Sequence, residues 1–304
     1  MTDSAFPSIV KGSGDLAAHI AADKIAIDAQ LAESGAVLFR GFDVPDAQAF
    51  DAAVVAYGEP NFPYAESLSN AVRVNVTDRV FTANEAPPDT SIYLHHEMAQ
   101  TPVYPSKLFF YCEIAPGGGG ATPLCRSDIL LDELAAADPD LVDDFAAKGV
   151  RYTNVMPGDD DAGSGQGRSW RSTLSAQDRD AAEARLRALG YDWEWRDDES
   201  LRATTPVLDA VRTLPDGRRT FFNQLIAAFR GWSDSRNDPS KAITFGDGTP
   251  ITTAQMADAI ALSDALTYDL DWQAGDVALV DNFLVMHGRR PFEGKRRVLA
   301  SLIQ

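Results

Sequence analysis

Histidine is scarce in this chain, with four in 304 residues, and two of the four are adjacent to each other and to an acid in Tyr93-Leu94-His95-His96-Glu97. In an extended backbone, side chains at i and i+2 share a face. His95 and Glu97 can therefore converge on one point while His96 faces away. A third histidine, His287, follows the strand-like run Val277-Ala-Leu-Val-Asp281. Two imidazoles and one carboxylate on one face of an ion leave the opposite positions open, which is the donor set of non-haem iron(II) oxygenases. An isolated H-x-E triplet is weak evidence, because short motifs recur by chance and a buried histidine is commonly a hydrogen-bonded core residue. Competing metal chemistries fit less well. The chain has no HExxH of a zinc peptidase, and Pro123-Leu124-Cys125-Arg126 does not complete the P-C-x-x-C that a zinc deaminase requires.

Two further features lie near the triad in sequence. Ten residues after His287 stands Arg297, in Gly288-Arg-Arg-Pro-Phe-Glu-Gly-Lys-Arg296-Arg297. A guanidinium at that point offers a planar pair of donors for a carboxylate held in register with the metal. The run Gly117-Gly-Gly-Gly-Ala-Thr122 ends a tight glycine turn on a hydroxyl. Taken singly, the glycine run reads as a hairpin turn and the arginines as a solvated basic surface; beside the triad, both gain a role at the metal.

The elements that must carry these residues can be read from periodicity. Asp15 to Ser34 places Leu16, Ile20, Ile27 and Leu31 at helical spacing and ends at Gly35. Ala36 to Arg40 reads as a buried strand, and Asp46 to Tyr57 as a second helix. Val72 to about Pro116 is strand-like, most clearly over Ser106 to Ile114. Asp138-Pro139 opens a helix that Gly149 stops. Ser175-Ala-Gln-Asp178 resembles a capping box opening a helix that runs to Gly190, and Pro157 to Gly167 is a glycine- and acid-rich loop suited to an active-site lid. Thr220 to Leu225, Val277 to Asp281 and Arg297 to Ile303 read as strands, with a turn at Gly275-Asp276. Thr252 and Gln255 stand at capping-box spacing before another helix. With no repeat or long linker, the simplest architecture is one domain over residues 1–304: a β-sandwich or barrel with helices outside and an insertion, helical and lid-like, over about 126–205.

Composition narrows the partners. The formal net charge is −18, with 45 acidic against 27 basic residues. Such a field repels phosphate backbones and anionic lipid surfaces, so the expected partner is a small molecule, with no nucleic acid and no membrane. No stretch approaches the roughly 20 apolar residues of a membrane span, and the first residues lack the features of a signal peptide. The two cysteines, Cys112 and Cys125, lack CxxC spacing and suit a reducing, cytoplasmic setting.

In the order and spacing of its landmarks the chain resembles the TauD/TfdA superfamily of Fe(II)/2-oxoglutarate-dependent dioxygenases, and within it the SyrP-like and clavaminate synthase-like branch. The landmarks are Gly35-Ala-Val-Leu-Phe-Arg-Gly41, Ile92-Tyr-Leu-His95-His-Glu97-Met98, Gly118-Gly-Gly-Ala-Thr122, Leu201-Arg202, Phe221-Phe-Asn223-Gln224 and Asp281-Asn-Phe-Leu-Val-Met-His287-Gly-Arg289. The resemblance implies a mainly β fold with added helices, a double-stranded β-helix (jelly roll) core with a helical insertion. It implies that His95, Glu97 and His287 bind Fe(II), and that Thr122 and Arg297 hold the distal carboxylate of 2-oxoglutarate, the co-substrate used with O2. The reaction implied is oxidation, foremost hydroxylation, of an unactivated C–H bond in a small amino-acid-like or natural-product intermediate, with release of succinate and CO2. Desaturation or cyclisation are alternative outcomes of that chemistry, and halogenation is disfavoured because Glu97 fills the position a halide needs. Two departures stand out. His96 replaces an asparagine common in relatives, and Ser301 stands where some relatives carry a second arginine for an anionic substrate. Arg202 and Asn223 are candidate substrate contacts, with a surface salt bridge and a strand-end cap as their plainer readings. Trp170 and Phe222 read as core or pocket wall. Rival functions are a catalytically silent jelly-roll metal-binding or sensor protein and a metal enzyme that needs no oxo-acid.

Overall fold

The computed structural model describes residues 6–64, 67–68, 73–83, 86–160, 167–231 and 242–304. Its frame is mainly β with added helices. A six-stranded sheet contains, in spatial order, Ser8–Lys11, Ala36–Arg40, Val277–Asp281, Lys107–Ile114, Arg297–Ile303 and Phe81–Thr82. A four-stranded sheet contains Tyr268–Leu270, Thr122–Arg126, Val285–Arg289 and Ile92–His95. The two sheets enclose one apolar cluster. Leu38, Leu108, Phe110, Ala278, Val280, Val298, Ala300 and Leu302 come from the first sheet, and Leu124, Leu270 and Val285 from the second. Strand alternation explains the division. Val298, Ala300 and Leu302 face the inter-sheet core, while Leu299 and Ile303 face the opposite side and join Leu16, Ile20, Ile27, Leu31, Phe50 and Tyr57.

That opposite side is covered by the helices Leu16–Ser34 and Ala47–Tyr57. The first is capped by the Asp15 carboxylate, which accepts from the Ala17 amide at 2.9 Å, and ends on Gly35 at φ 80°. Gly35 is needed for more than its φ: a Cβ there would lie 2.6 Å from Val285 Cγ2. The outer face of the four-stranded sheet is covered by Ser127–Ala137, Leu225–Gly231 and Thr253–Ala265, with Leu94, Cys125 and Met286 packed beneath them. Thr252 and Gln255 form the expected capping box. The middle of the chain builds a separate four-stranded sheet of Ile243–Phe245, Val150–Met156, Leu201–Thr204 and Asp192–Trp195. Trp170 belongs to the core beside it, edge-on to Trp195 at 5.0 Å.

Two sequence expectations need correction. The helix expected to open at Ser175 begins at Arg179, because Asp178 is the residue whose carboxylate accepts from the Ala181 amide at 2.9 Å; Ser175 instead ends the short helix Trp170–Leu174 with φ 48°. The strand expected over Thr220 to Leu225 stops at Thr220. There Asn223 Oδ1 accepts from the Leu225 amide at 3.0 Å and turns the chain into a helix. Most of the expected lid, at 161–166, lies outside the described residues. Cys112 and Cys125 are both free and buried, and burial pushes each thiol up to about 12. No helix among the described residues is long and apolar enough to cross a membrane.

The helix layer is bound chiefly by side chains such as Ile20, which is fully buried. Ile20→Ala is expected to cost about 2–5 kcal/mol, read as a lowered urea midpoint with an unchanged denaturant slope.

Candidate active site

The strand Val285–Arg289 runs antiparallel to Ile92–His95, and their register sets His287 directly opposite His95. Side chains directly opposed in such a pair project from the same face, and the two imidazole centroids are 4.4 Å apart. The register then shifts between His287 and Arg289. Gly288 permits this shift, since a Cβ at that position would stand 2.3 Å from the Ile92 carbonyl oxygen. Glu97 lies just beyond the strand, in a turn that includes Met98 at φ 60°. Its Oε2 is 3.4 Å from His287 Nε2 and 3.8 Å from His95 Nε2. The three side chains can each offer a ligand atom, all within 4.8 Å of one another.

The protonation pattern suits a metal. His95 Nδ1–H donates to the Tyr93 carbonyl at 2.8 Å, which leaves the Nε2 lone pair facing the cluster. Burial, then the neighbouring His95, pushes His287 down to about 4 against the pull of Glu97. Burial would raise the Glu97 carboxyl, yet the Arg73 charge and the two imidazoles outweigh it and hold the group well below its usual range. His287 thus presents neutral imidazole nitrogen, and Glu97 anionic carboxylate oxygen, near neutral pH, donors suited to a divalent first-row ion.

Residues of little apparent chemistry fix the acid. Asn282 Oδ1 accepts from the Glu97 amide at 2.7 Å, and its Nδ2 donates to the Glu97 and Pro105 carbonyls at 3.0 and 2.8 Å. The Asn282 carbonyl accepts from His96 Nδ1 at 2.6 Å, while Gln224 Nε2 donates to the His96 carbonyl at 3.0 Å. His96 is therefore turned away from the cluster and packs on Phe222 at 4.8 Å; burial pushes it down to about 3. Asn223 is occupied structurally as well, donating to the Ala210 carbonyl and capping Leu225. Arg202 lies in the separate sheet, opposite Val155 and Glu194, and does not line the cavity. Of the two candidate substrate contacts, neither reaches the site in this structure.

A cavity opens against the triad, lined also by Arg73, Phe110, Thr122, Arg289, Arg296 and Val298. Thr122 Oγ1 accepts from Trp272 Nε1 at 2.9 Å and from Arg296 Nη2 at 3.4 Å. Arg296 is held by the Gly120 carbonyl through Nε at 2.9 Å. Gly119 lets the glycine run lie close to the segment after His287: at φ 64°, a Cβ there would stand 2.5 Å from the Pro291 carbonyl oxygen. The arginine chosen from sequence is displaced by one residue. Arg297 is 45% exposed and its Nη1 pairs with Glu113 Oε2 at 2.7 Å, outside the cavity. Alternation accounts for the difference, because Val298 faces the inter-sheet core, so Arg296 shares its side and Arg297 faces away. Burial, then the charge of Arg289, lowers Arg296 to about 10, so it stays cationic near neutral pH.

Comparison with known proteins agrees with this geometry. Residues 6–302 match the model of the taurine catabolism dioxygenase TauD, TfdA family. The chain belongs to the TauD/TfdA family. A clavaminate synthase-like protein of Arabidopsis thaliana is 44% identical over 284 residues, covering 93% of this chain and 86% of that protein. The dapdiamide synthesis protein DdaC of Enterobacter agglomerans is 31% identical over 290 residues, covering 91% and 84%. In fold, PvcB of Pseudomonas aeruginosa is similar with a TM-score of 0.54 at 16% identity, covering 99% of this chain and 87% of that one; PvcB is an iron- and α-ketoglutarate-dependent oxygenase from an isonitrile synthetic pathway. This TauD/TfdA protein is an iron(II)- and 2-oxoglutarate-dependent dioxygenase.

The buried neutral imidazoles of His96 and His287 make stability depend on pH. Between the ordinary histidine value of 6.5 and about 4, the unfolded chain binds protons at these residues that the folded protein does not. Stability is therefore present above pH 6.5 and falls as pH drops through that window. The metal-free protein is expected to show a lower urea midpoint at pH 5 than at pH 7, and His96→Gln should flatten that dependence. Parallel pH profiles for the two proteins would count against neutral burial of His96.

Proposed function

We propose that His95, Glu97 and His287 hold the iron, and that Thr122 and Arg296 hold the distal carboxylate of 2-oxoglutarate. The observation that carries this reading is the facing register of His95 and His287 with Glu97 Oε2 between them, 3.8 and 3.4 Å from their Nε2 atoms. Bound iron and 2-oxoglutarate supply the oxidising chemistry: 2-oxoglutarate, O2 and a C–H bond give succinate, CO2 and an alcohol, with one oxygen atom in each of succinate and alcohol. This chain supplies position and exclusion of water. Trp272 occupies the Thr122 oxygen as an acceptor, so the threonine proton is left to donate to an anion. Arg296, fixed through Nε, presents its remaining donors to the same carboxylate. Phe110 and Val298 wall the cavity with apolar surface, which strengthens these charge interactions.

The substrate in this reading is a small amino-acid-like or natural-product biosynthetic intermediate, and hydroxylation is the outcome. Its support is the likeness to a dapdiamide synthesis protein and to a clavaminate synthase-like protein. The two facing sheets are read as a double-stranded β-helix within one domain of 1–304, the middle of the chain being an insertion, and the setting as the cytoplasm.

The test is anaerobic addition of iron(II) and 2-oxoglutarate, which should produce a visible charge-transfer band, followed by an aerobic screen of amino acids and derivatives for stimulated succinate formation. Glu97→Ala should abolish both signals; full 2-oxoglutarate turnover by that variant would refute the ligand assignment. Removing the carboxylate anchor separates the two arginines. Arg296→Gln is expected to weaken 2-oxoglutarate binding by roughly tenfold or more, the scale of one charged hydrogen-bonded contact, while Arg297→Gln leaves it within about twofold. The reverse pattern would restore Arg297 as the anchor.

A further inference from the structure

Arg73 lines the cavity from a part of the chain with no sequence signature of a site. Its side chain is only 8% exposed, and its Nη2 donates to Glu97 Oε1 at 3.1 Å. The guanidinium is flanked by the rings of Tyr64 and Phe81, at 4.9 and 5.3 Å. The backbone beside it is fixed: Val74 N donates to Thr82 Oγ1 at 3.1 Å, and Thr82 N donates to the Val74 carbonyl at 2.9 Å. Phe81–Thr82 is the edge strand paired with Leu299 and Ala300 of the final strand. The arginine is thus anchored to the six-stranded sheet, while its partner acid hangs from the end of a strand in the other.

The two oxygens of Glu97 have different neighbours. Oε2 faces the imidazole nitrogens at 3.4 and 3.8 Å, whereas Oε1 faces Arg73. A carboxylate with both oxygens free can chelate a divalent ion through both. A three-atom protein face leaves three positions in an octahedral ion. 2-Oxoglutarate requires two, through its keto oxygen and adjacent carboxylate, and O2 requires the third. Bidentate attachment of Glu97 would remove one of them. Resting on the iron and 2-oxoglutarate reading above, we propose that Arg73 is a positioning residue that keeps Glu97 Oε1 out of the coordination sphere and so preserves the open positions that 2-oxoglutarate and O2 must share.

A purely structural ion pair makes a different forecast. Breaking it would loosen the acid and weaken metal and co-substrate binding together. A device that limits Glu97 to one oxygen has opposite effects on the two: without it, the acid gains a second attachment to the metal, and a nearby positive charge is removed. The experiment uses the full chain with Arg73→Met and Arg73→Gln, each checked for native circular dichroism. Mn(II) affinity is measured from the free-ion electron paramagnetic resonance signal. 2-Oxoglutarate affinity is measured from the charge-transfer band in anaerobic titration with iron(II).

The expected result is Mn(II) affinity equal to or above that of the unmutated protein, together with 2-oxoglutarate affinity reduced about 10- to 100-fold and a displaced band. Arg73→Gln, which keeps a neutral donor, should show the same opposed pair of changes at smaller size. Parallel loss of both affinities, or no change in either, overturns the proposal. A normal band in the unmutated protein with such a result leaves the parent reading intact, whereas absence of the band in the unmutated protein sinks both.

Discussion

The pairing of Val285–Arg289 with Ile92–His95 is the constraint from which the site follows. A shift of one residue in either strand would send one imidazole to the opposite face. The register is held on both flanks. On one side Val285–Arg289 pairs with Thr122–Arg126, which brings Thr122 into the same sheet as the histidines. On the other, Gly288 lets the strand approach Ile92 closely enough for the register to shift immediately beyond His287. His95, His287 and Thr122 are consequently parts of one sheet, with Glu97 just beyond its edge strand.

The second requirement is electrostatic. Arg73, Glu97, Arg289 and Arg296 are brought close to one cavity in surroundings that disfavour isolated charge. Each has fixed partners: Glu97 has Arg73 and the imidazoles, Arg296 has the Gly120 carbonyl, and Arg289 has the carbonyls of Ala86, Pro87 and Thr90 at 2.6–2.9 Å. The excess of cations over acids matches the dianionic co-substrate that this family uses. It also contrasts with the formal charge of −18 for the whole chain, so the surface and the cavity carry opposite electrostatic characters.

Much of this was legible in sequence where a residue's chemistry was distinctive and its position local. The helices ending at Gly35 and Gly149 and the capping box of Thr252 and Gln255 follow from local rules, and the nearness of His95 and Glu97 from their spacing, although Glu97 is placed by a turn and not by strand alternation. The structure turns Arg296 and not Arg297 toward the cavity, and the signal for that was present: the apolar alternation of Val298, Ala300 and Leu302 assigns Arg296 to the inner face. Asn223 and Arg202 were drawn toward substrate by their membership in landmark motifs, but one is consumed by a helix cap and the other sits in a separate sheet. Arg73, Trp272 and Asn282 act across long sequence separations. Nothing in the local pattern around them encodes the partner each one meets.

The Asn282 side chain ties Glu97 to a segment 185 residues later, and His287 and Arg296 come later still. During synthesis, which proceeds at about 5–20 residues per second, the ribosome delivers His95 and Glu97 long before the groups that complete their surroundings. A nascent chain at that stage has two members of the cluster without the third. The cluster of His95, Glu97 and His287 is therefore complete only once the C-terminal strands have joined the sheets, long after its first members are made.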